Sequence, residues 1–291
     1  MDINSYLPHL EVVKADKLFL KKLTNEWKKF LQPLAKWFTT EFSGTYKNGF
    51  PNNTSKALLS LFYFIVNLSE QMLGLMNIES QNPYAFTSRL DYSIVLLGGA
   101  IFEAFIFLKW IQIDPTTIEK KSYLFCQGTY LEYLHNRSNI NQEKKEFLEI
   151  FQKELPSFLK QGKKDLLALE SYYSKWYLAF NPSLNFLKLI KECFSEEESK
   201  ELYAQYQRYC SFKHTSPYMV MSQWPLLQAK KQLLSRDYKL GFFLASLSLI
   251  EAEKIINPWF IKKEMPSYLF VRNINQILQT TKKEDNEENS V

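Results

Sequence analysis

Ile94-Val-Leu-Leu-Gly-Gly-Ala-Ile-Phe-Glu103-Ala-Phe-Ile-Phe-Leu-Lys109-Trp-Ile-Gln-Ile113 is an apolar run broken by only three polar side chains, Glu103, Lys109 and Gln112. It shows no alternation of polar and apolar residues, and no proline falls before Asp114-Pro115. It therefore reads as one uninterrupted helix, apolar on every side. Such a helix sits either at the centre of a folded domain or across a bilayer. Glu103 falls at its midpoint, where a carboxylate in hydrocarbon costs several kcal/mol. A second run, Ala57 to Met76, holds Asn67, Glu70 and Gln71, and the whole chain has a mean hydropathy of −0.28. Both runs read as central helices of a folded core, and no membrane insertion is expected.

The rest of the chain agrees with a helical reading. Glycine supplies only 8 of 291 residues while aromatics make up 16 %. Few positions can then take positive φ, which disfavours tight hairpins and glycine-rich phosphate loops. Periodicity and breakers predict a first helix from about Val12 to Phe42, kinked or split at Pro33. Thr54 or Ser55 caps a helix ending near Ile78, and Pro83 opens the stretch that stops at Asp114-Pro115. Helices follow over 116–135, 141–161 and 163–180. Asn181-Pro-Ser183 interrupts the chain before a helix to about Phe194. Ser195-Glu-Glu-Glu198 begins the next as a capping box, which runs to about His214. Segments 222–235, 236–256 and 267–279 complete an all-α, bundle-like single domain of about ten helices. Residues 1–50 form a lysine-rich N-terminal segment, 51–280 the helical core, and 281–291 a disordered acidic tail. The aromatic groups Tyr172-Tyr173, Trp176-Tyr177 and Phe242-Phe243 lie at helical spacing, which favours core packing over base stacking.

The formal charge is +5, and its distribution is uneven. Lysines 14, 17, 21, 22, 28, 29 and 36 crowd one short stretch against Asp16 and Glu26. A lysine-rich helix face attracts phosphate or anionic lipid, although most such faces are only solvated. Cys126, Cys193 and Cys210 are odd in number and widely spaced, which argues against a disulfide framework or a zinc cluster. No secretory leader pattern is visible at Met1-Asp-Ile-Asn-Ser, and the expected compartment is the cytoplasm.

Familiar catalytic motifs are missing. No Walker loop, dinucleotide fingerprint, zincin helix or nucleophile elbow occurs. With three histidines, of which only His135 has a carboxylate three residues before it, neither a metal site nor a cofactor is expected. Two features remain. Tyr206, Cys210 and His214 recur every four residues, so on a helix they fall along one stripe, with Thr215, Ser216 and Pro217 just beyond. Glu103, inside an apolar helix, requires a partner or a cavity. One reading makes these residues structural, with Glu103 bonded to a tyrosine or a basic side chain. The other gathers Glu103, Tyr206 and His214 in one pocket, with Tyr206, Cys210 and Ser216 as binding groups. Gly98 and Gly99 precede Glu103 by one turn and admit a close approach by another helix or a ligand.

The Tyr-x3-Cys-x3-His-x-Ser pattern of Tyr206, Cys210, His214 and Ser216 resembles a bacterial all-helical family of unknown function. Glu103, the aromatic run after it and Asp114-Pro115 resemble that family's earlier helix. The family's arginine upstream of the glutamate is absent here, since Gly98 and Gly99 stand in that region and the nearest arginine is Arg89. Separately, Arg208-x5-His214 is similar to the motif of HEPN ribonucleases. That resemblance implies metal-independent RNA cleavage in a defence or toxin setting, with His214 as acid or base and Arg208 on the phosphate. Tyr209 stands where that motif usually holds a polar residue, and on a straight helix Arg208 and His214 diverge. The expectation from the residues is a binding or scaffold protein with a buried polar cluster, acting on RNA or a protein partner and forming a homodimer. The alternative is the HEPN-like nuclease, with Arg208, His214 and Glu103 as its catalytic groups.

Overall fold

A computed structural model describes residues 17–47, 49–81, 87–135, 176–181, 183–213 and 236–261. Among them there is no strand, and the fold is all-α. The elements are α1 (Lys17–Trp37), α2 (Asn53–Gln81), α3 (Thr87–Gln112), α4 (Ile118–His135), the single turn α5 (Tyr177–Phe180), α6 (Phe186–Cys193), α7 (Glu196–Lys213) and α8 (Arg236–Ile256). Seven of these are helices of eight residues or more, against the expectation of about ten. The helices expected over 141–161, 222–235 and 267–279, and most of that over 163–180, lie outside the described residues.

Local chemistry accounts for most helix ends. Asn52, rather than Thr54 or Ser55, caps α2, its side-chain oxygen accepting from the Ser55 N–H at 2.8 Å. Asp114 closes the α3–α4 corner, accepting from the Thr116 N–H at 2.9 Å and from the Thr117 hydroxyl at 2.9 Å. Asn185 caps α6 through the Lys188 N–H. Ser195 and Glu198 form the expected capping box, the Ser195 N–H donating to the Glu198 carboxylate at 3.0 Å. The helix α1 runs through Pro33 unbroken and widens into a π turn only at Phe38–Phe42. There the Thr39, Thr40 and Ser43 hydroxyls donate back to carbonyls of the preceding turn and compete with the main-chain ladder.

The centre of the fold is the crossing of α3 with α8, flanked by α2 on one side and by α6 and α7 on another. Every residue from Leu240 to Ile250 is buried. The helices meet at glycines. A Cβ at Gly98 would fall 2.1 Å from the Gly241 carbonyl oxygen, and one at Gly241 would fall 2.4 Å from that of Ile94. Around this crossing Ile94, Val95, Ile101, Phe105, Leu244, Ala245 and Leu247 are fully enclosed. Glycine is usually a weak choice within a helix, but here it sets the interhelical distance.

Two described spans, Asn53–Asn77 and Ser93–Gln112, are long and apolar enough to cross a membrane. In the fold, 67 % of the second is covered by neighbouring helices and 44 % of the first. The outward stripe of α2 carries Lys56, Ser60, Glu70 and Gln71 beside the exposed rings of Tyr63 and Phe64.

Replacing Gly98 or Gly241 with alanine forces the two backbones apart. Each change is expected to lower unfolding stability by about 2 kcal/mol or more. Gly74, mid-helix in α2 with nothing within 4 Å of a built Cβ, is the contrast. Gly74→Ala is expected to raise stability by about 0.5–1 kcal/mol. Urea denaturation of the three variants measures both signs.

Candidate functional site

The glycine after the crossing positions the site. A Cβ on Gly99 would lie 2.0 Å from the Tyr209 ring, so the missing side chain is the seat that α7 occupies. With Tyr209 lodged there, Tyr206, one turn earlier on α7, comes beside Glu103, one turn later on α3. The Tyr206 hydroxyl donates to Glu103 Oε1 at 3.1 Å. From the end of α7, Lys213 Nζ donates to Oε1 at 3.1 Å and to Oε2 at 3.3 Å. The Cys210 thiol stands one turn after Tyr206 on the same face of α7. The ring of Phe186, from α6, stacks on Tyr206 at 4.2 Å between centroids and fixes its plane.

Glu103 is thus held by both kinds of partner that the sequence allows, a tyrosine and a base. The base, Lys213, is not among the residues that the motifs single out, although it stands seven residues after Tyr206 and so on the same helix face. The cluster is at the rim of the core, with the Glu103 side chain 23 % exposed and that of Lys213 46 %. Arg208 is half-buried two residues from Tyr206, about 200° around a helix that continues unbroken to Lys213. It therefore points away from Glu103. His214 and Ser216 lie outside the described residues, as does the expected approach of His214 to Glu103.

Electrostatics limits what these groups can do. Burial, then the Glu103 charge, raises the Tyr206 phenol far above its ordinary value, and the same two causes raise Tyr209. Burial also raises the Cys210 thiol. At neutral pH the thiol and both phenols stay protonated, and a protonated thiol is a poor nucleophile. The arrangement sets the Glu103 carboxylate against the Lys213 side chain and ties α3 to α7. Among the described residues no three His, Cys, Asp or Glu side chains gather as metal ligands would.

A second polar junction, which no motif in the sequence marks, lies at the other end of α3. The Trp110 indole N–H donates to Glu192 at 2.5 Å, and Lys121 donates to the Trp110 carbonyl at 2.9 Å. The Lys121 ammonium lies 4.3 Å from the Trp110 ring centre, with the Phe180 ring 5.4 Å away. It satisfies one of the last carbonyls of α3, where the helix dipole favours a cation. Burial pulls its pKa down, against the charges of Glu192 and Asp114.

These shifts fix how stability responds to alkali. Burial pushes Cys193 up to about 12 and Cys126 up to about 11. The folded chain keeps protons that the unfolded chain releases from about pH 9, the ordinary thiol range. That stability is full below about pH 9 and is lost as pH climbs through the folded values, with Tyr206 and Tyr209 acting in the same sense. Lys121, lowered instead, acts in the opposite sense near pH 10 but is a single group. Urea midpoints are expected to fall steadily between about pH 9 and pH 11, and Cys193→Ala is expected to flatten that fall.

No family model, no curated protein and no solved structure matches this chain.

Proposed function

We propose that the chain is a non-catalytic helical binding or scaffold protein of the bacterial cytoplasm, and that Glu103, Tyr206, Cys210 and Lys213 form a structural latch between α3 and α7. The observation that carries this reading is that Glu103 is already partnered among the described residues. Both carboxylate oxygens accept from groups of the same chain, and the neighbouring thiol and phenols are held neutral. A general acid or base needs a proton it can exchange with substrate, whereas these groups are turned on one another. The direction of Arg208, away from the cluster, also speaks against its acting together with Glu103. The resemblance to bacterial helical proteins supports the setting but brings no reaction with it. The full bundle of about ten helices, its single-domain organisation and a homodimer belong to the same proposal.

The latch predicts energetic coupling. In a double-mutant cycle of Tyr206→Phe with Glu103→Gln, which keeps an acceptor oxygen but removes its charge, the coupling is expected at about 1 kcal/mol, the part of the hydrogen bond that depends on that charge. Lys213→Met, which removes the half-exposed pair, is expected to cost less than about 1 kcal/mol. The catalytic alternative is tested directly by incubating the purified chain with RNA in the presence of a chelator, beside Arg208→Ala and His214→Ala. No cleavage by the wild type is the expected result. Cleavage that both substitutions abolish would replace the scaffold reading with the HEPN-like nuclease.

A further inference from the structure

The exposed face of α1 is arranged in rails. Lys22, Lys29 and Lys36 recur every seven residues, so they drift by only about 20° per step and form one line along the helix. Lys21 and Lys28 form a second line, about 100° around the axis from the first. Between the two lines stand Asn25 and Gln32, also seven residues apart. All seven side chains are exposed. On the opposite side of the same helix Leu23, Trp27, Phe30, Leu31, Leu34 and Trp37 are buried against the rest of the fold. Glu26, at the margin of the stripe, pairs with Lys29, and no other acidic residue lies between Lys21 and Lys36.

We infer that α1 is a surface for double-stranded DNA, with the lysine rails on the phosphates of the two strands and Asn25 and Gln32 facing the base edges of the major groove. A helix with its side chains is about 10–12 Å wide, and the major groove of B-form DNA is about 12 Å wide. Two flanking cationic lines with an amide line between them match a groove whose floor carries donors and acceptors and whose walls carry negative charge. Asn and Gln are the side chains that pair with adenine through two hydrogen bonds. From Lys21 to Lys36 the stripe is about 22 Å long, roughly two-thirds of a duplex turn. Other polyanions fit less well. The major groove of A-form RNA is too narrow to be read by side chains. Non-specific single-strand binding relies on exposed aromatic rings, and the stripe has none. An interfacial membrane helix sinks an apolar face into the lipid, and the apolar face of α1 is already enclosed. This inference goes beyond the scaffold reading and does not depend on the Glu103 latch.

The test uses the full chain and a labelled duplex of about 20 base pairs, roughly two turns of DNA, with binding followed by fluorescence anisotropy at several salt concentrations. The chain is expected to bind, with affinity falling steeply as salt rises. Lys21→Gln, Lys22→Gln, Lys28→Gln, Lys29→Gln and Lys36→Gln combined are expected to weaken binding at least about tenfold. They should also reduce the slope of log affinity against log salt by about 0.9 for each phosphate left without its lysine. The same five positions changed to arginine are expected to retain binding, which separates charge from fold. Asn25→Ala with Gln32→Ala is expected to leave the salt slope unchanged and to erase any preference among duplex sequences. Undiminished affinity in the glutamine variant would overturn the inference. So would equal or tighter binding to a single strand, to an RNA duplex or to phosphatidylserine vesicles. RNA cleavage in the companion assay would overturn the scaffold reading and leave this result standing.

Discussion

Two helices can approach to backbone contact only where neither carries a side chain at the crossing, and α3 and α8 satisfy that condition at Gly98 and Gly241. The consequences spread outward. Because the axes are that close, residues on either side of the crossing interdigitate fully, and α8 is buried at every position from Leu240 to Ile250. Such a helix has no side left for water, which is why its polar groups over that span are serines rather than charges. Ser248 returns its hydroxyl to the Leu244 carbonyl at 2.6 Å and so needs no outside partner.

The neighbouring glycine extends the same logic to the site. Gly98 faces α8 and Gly99, one position on and about 100° around the helix, faces α7. Adjacent absences of Cβ therefore receive two different neighbours, one a backbone and the other the ring of Tyr209. Gly128 repeats the device on α4, where a Cβ would meet that of Trp176 at 2.5 Å. Large rings packed into places vacated by glycine reconcile the two compositional extremes of this chain, scarce glycine and abundant aromatics.

How much of this is legible in the sequence depends on the range of the interaction. Helix type, the ends at Asp114 and Ser195, and the central place of α3 follow from local pattern, and those readings agree with the structure. The cap at Asn52 lies two or three residues before the position that sequence suggests, because several polar side chains compete at that corner and only geometry selects one. The meeting of Glu103 with Tyr206 is foreseeable as a need, since a carboxylate in an apolar helix requires a partner. Lys213 escapes notice because the stripe draws the eye through its tyrosine, cysteine and histidine. The Lys121 junction is illegible for a stronger reason. It joins α3, α4 and α6, and nothing in the local sequence distinguishes that lysine from the adjoining Lys120.

The contrast between the two junctions shows why burial, rather than bonding, separates them. Lys213 and Lys121 each donate to oxygen, at 3.1 Å and 2.9 Å, but Lys213 stays half in water while Lys121 is enclosed by aromatic rings. Water can replace Lys213, so the latch at Glu103 adds little stability and mainly sets how α7 lies on α3. No water replaces the Trp110 carbonyl for Lys121, and losing that bond would leave a buried cation unsatisfied. The α3 helix is thereby fastened by charge at two places of unequal rigidity. Its end near α4 is held by the enclosed lysine, and its middle by a half-exposed pair at the rim of the core.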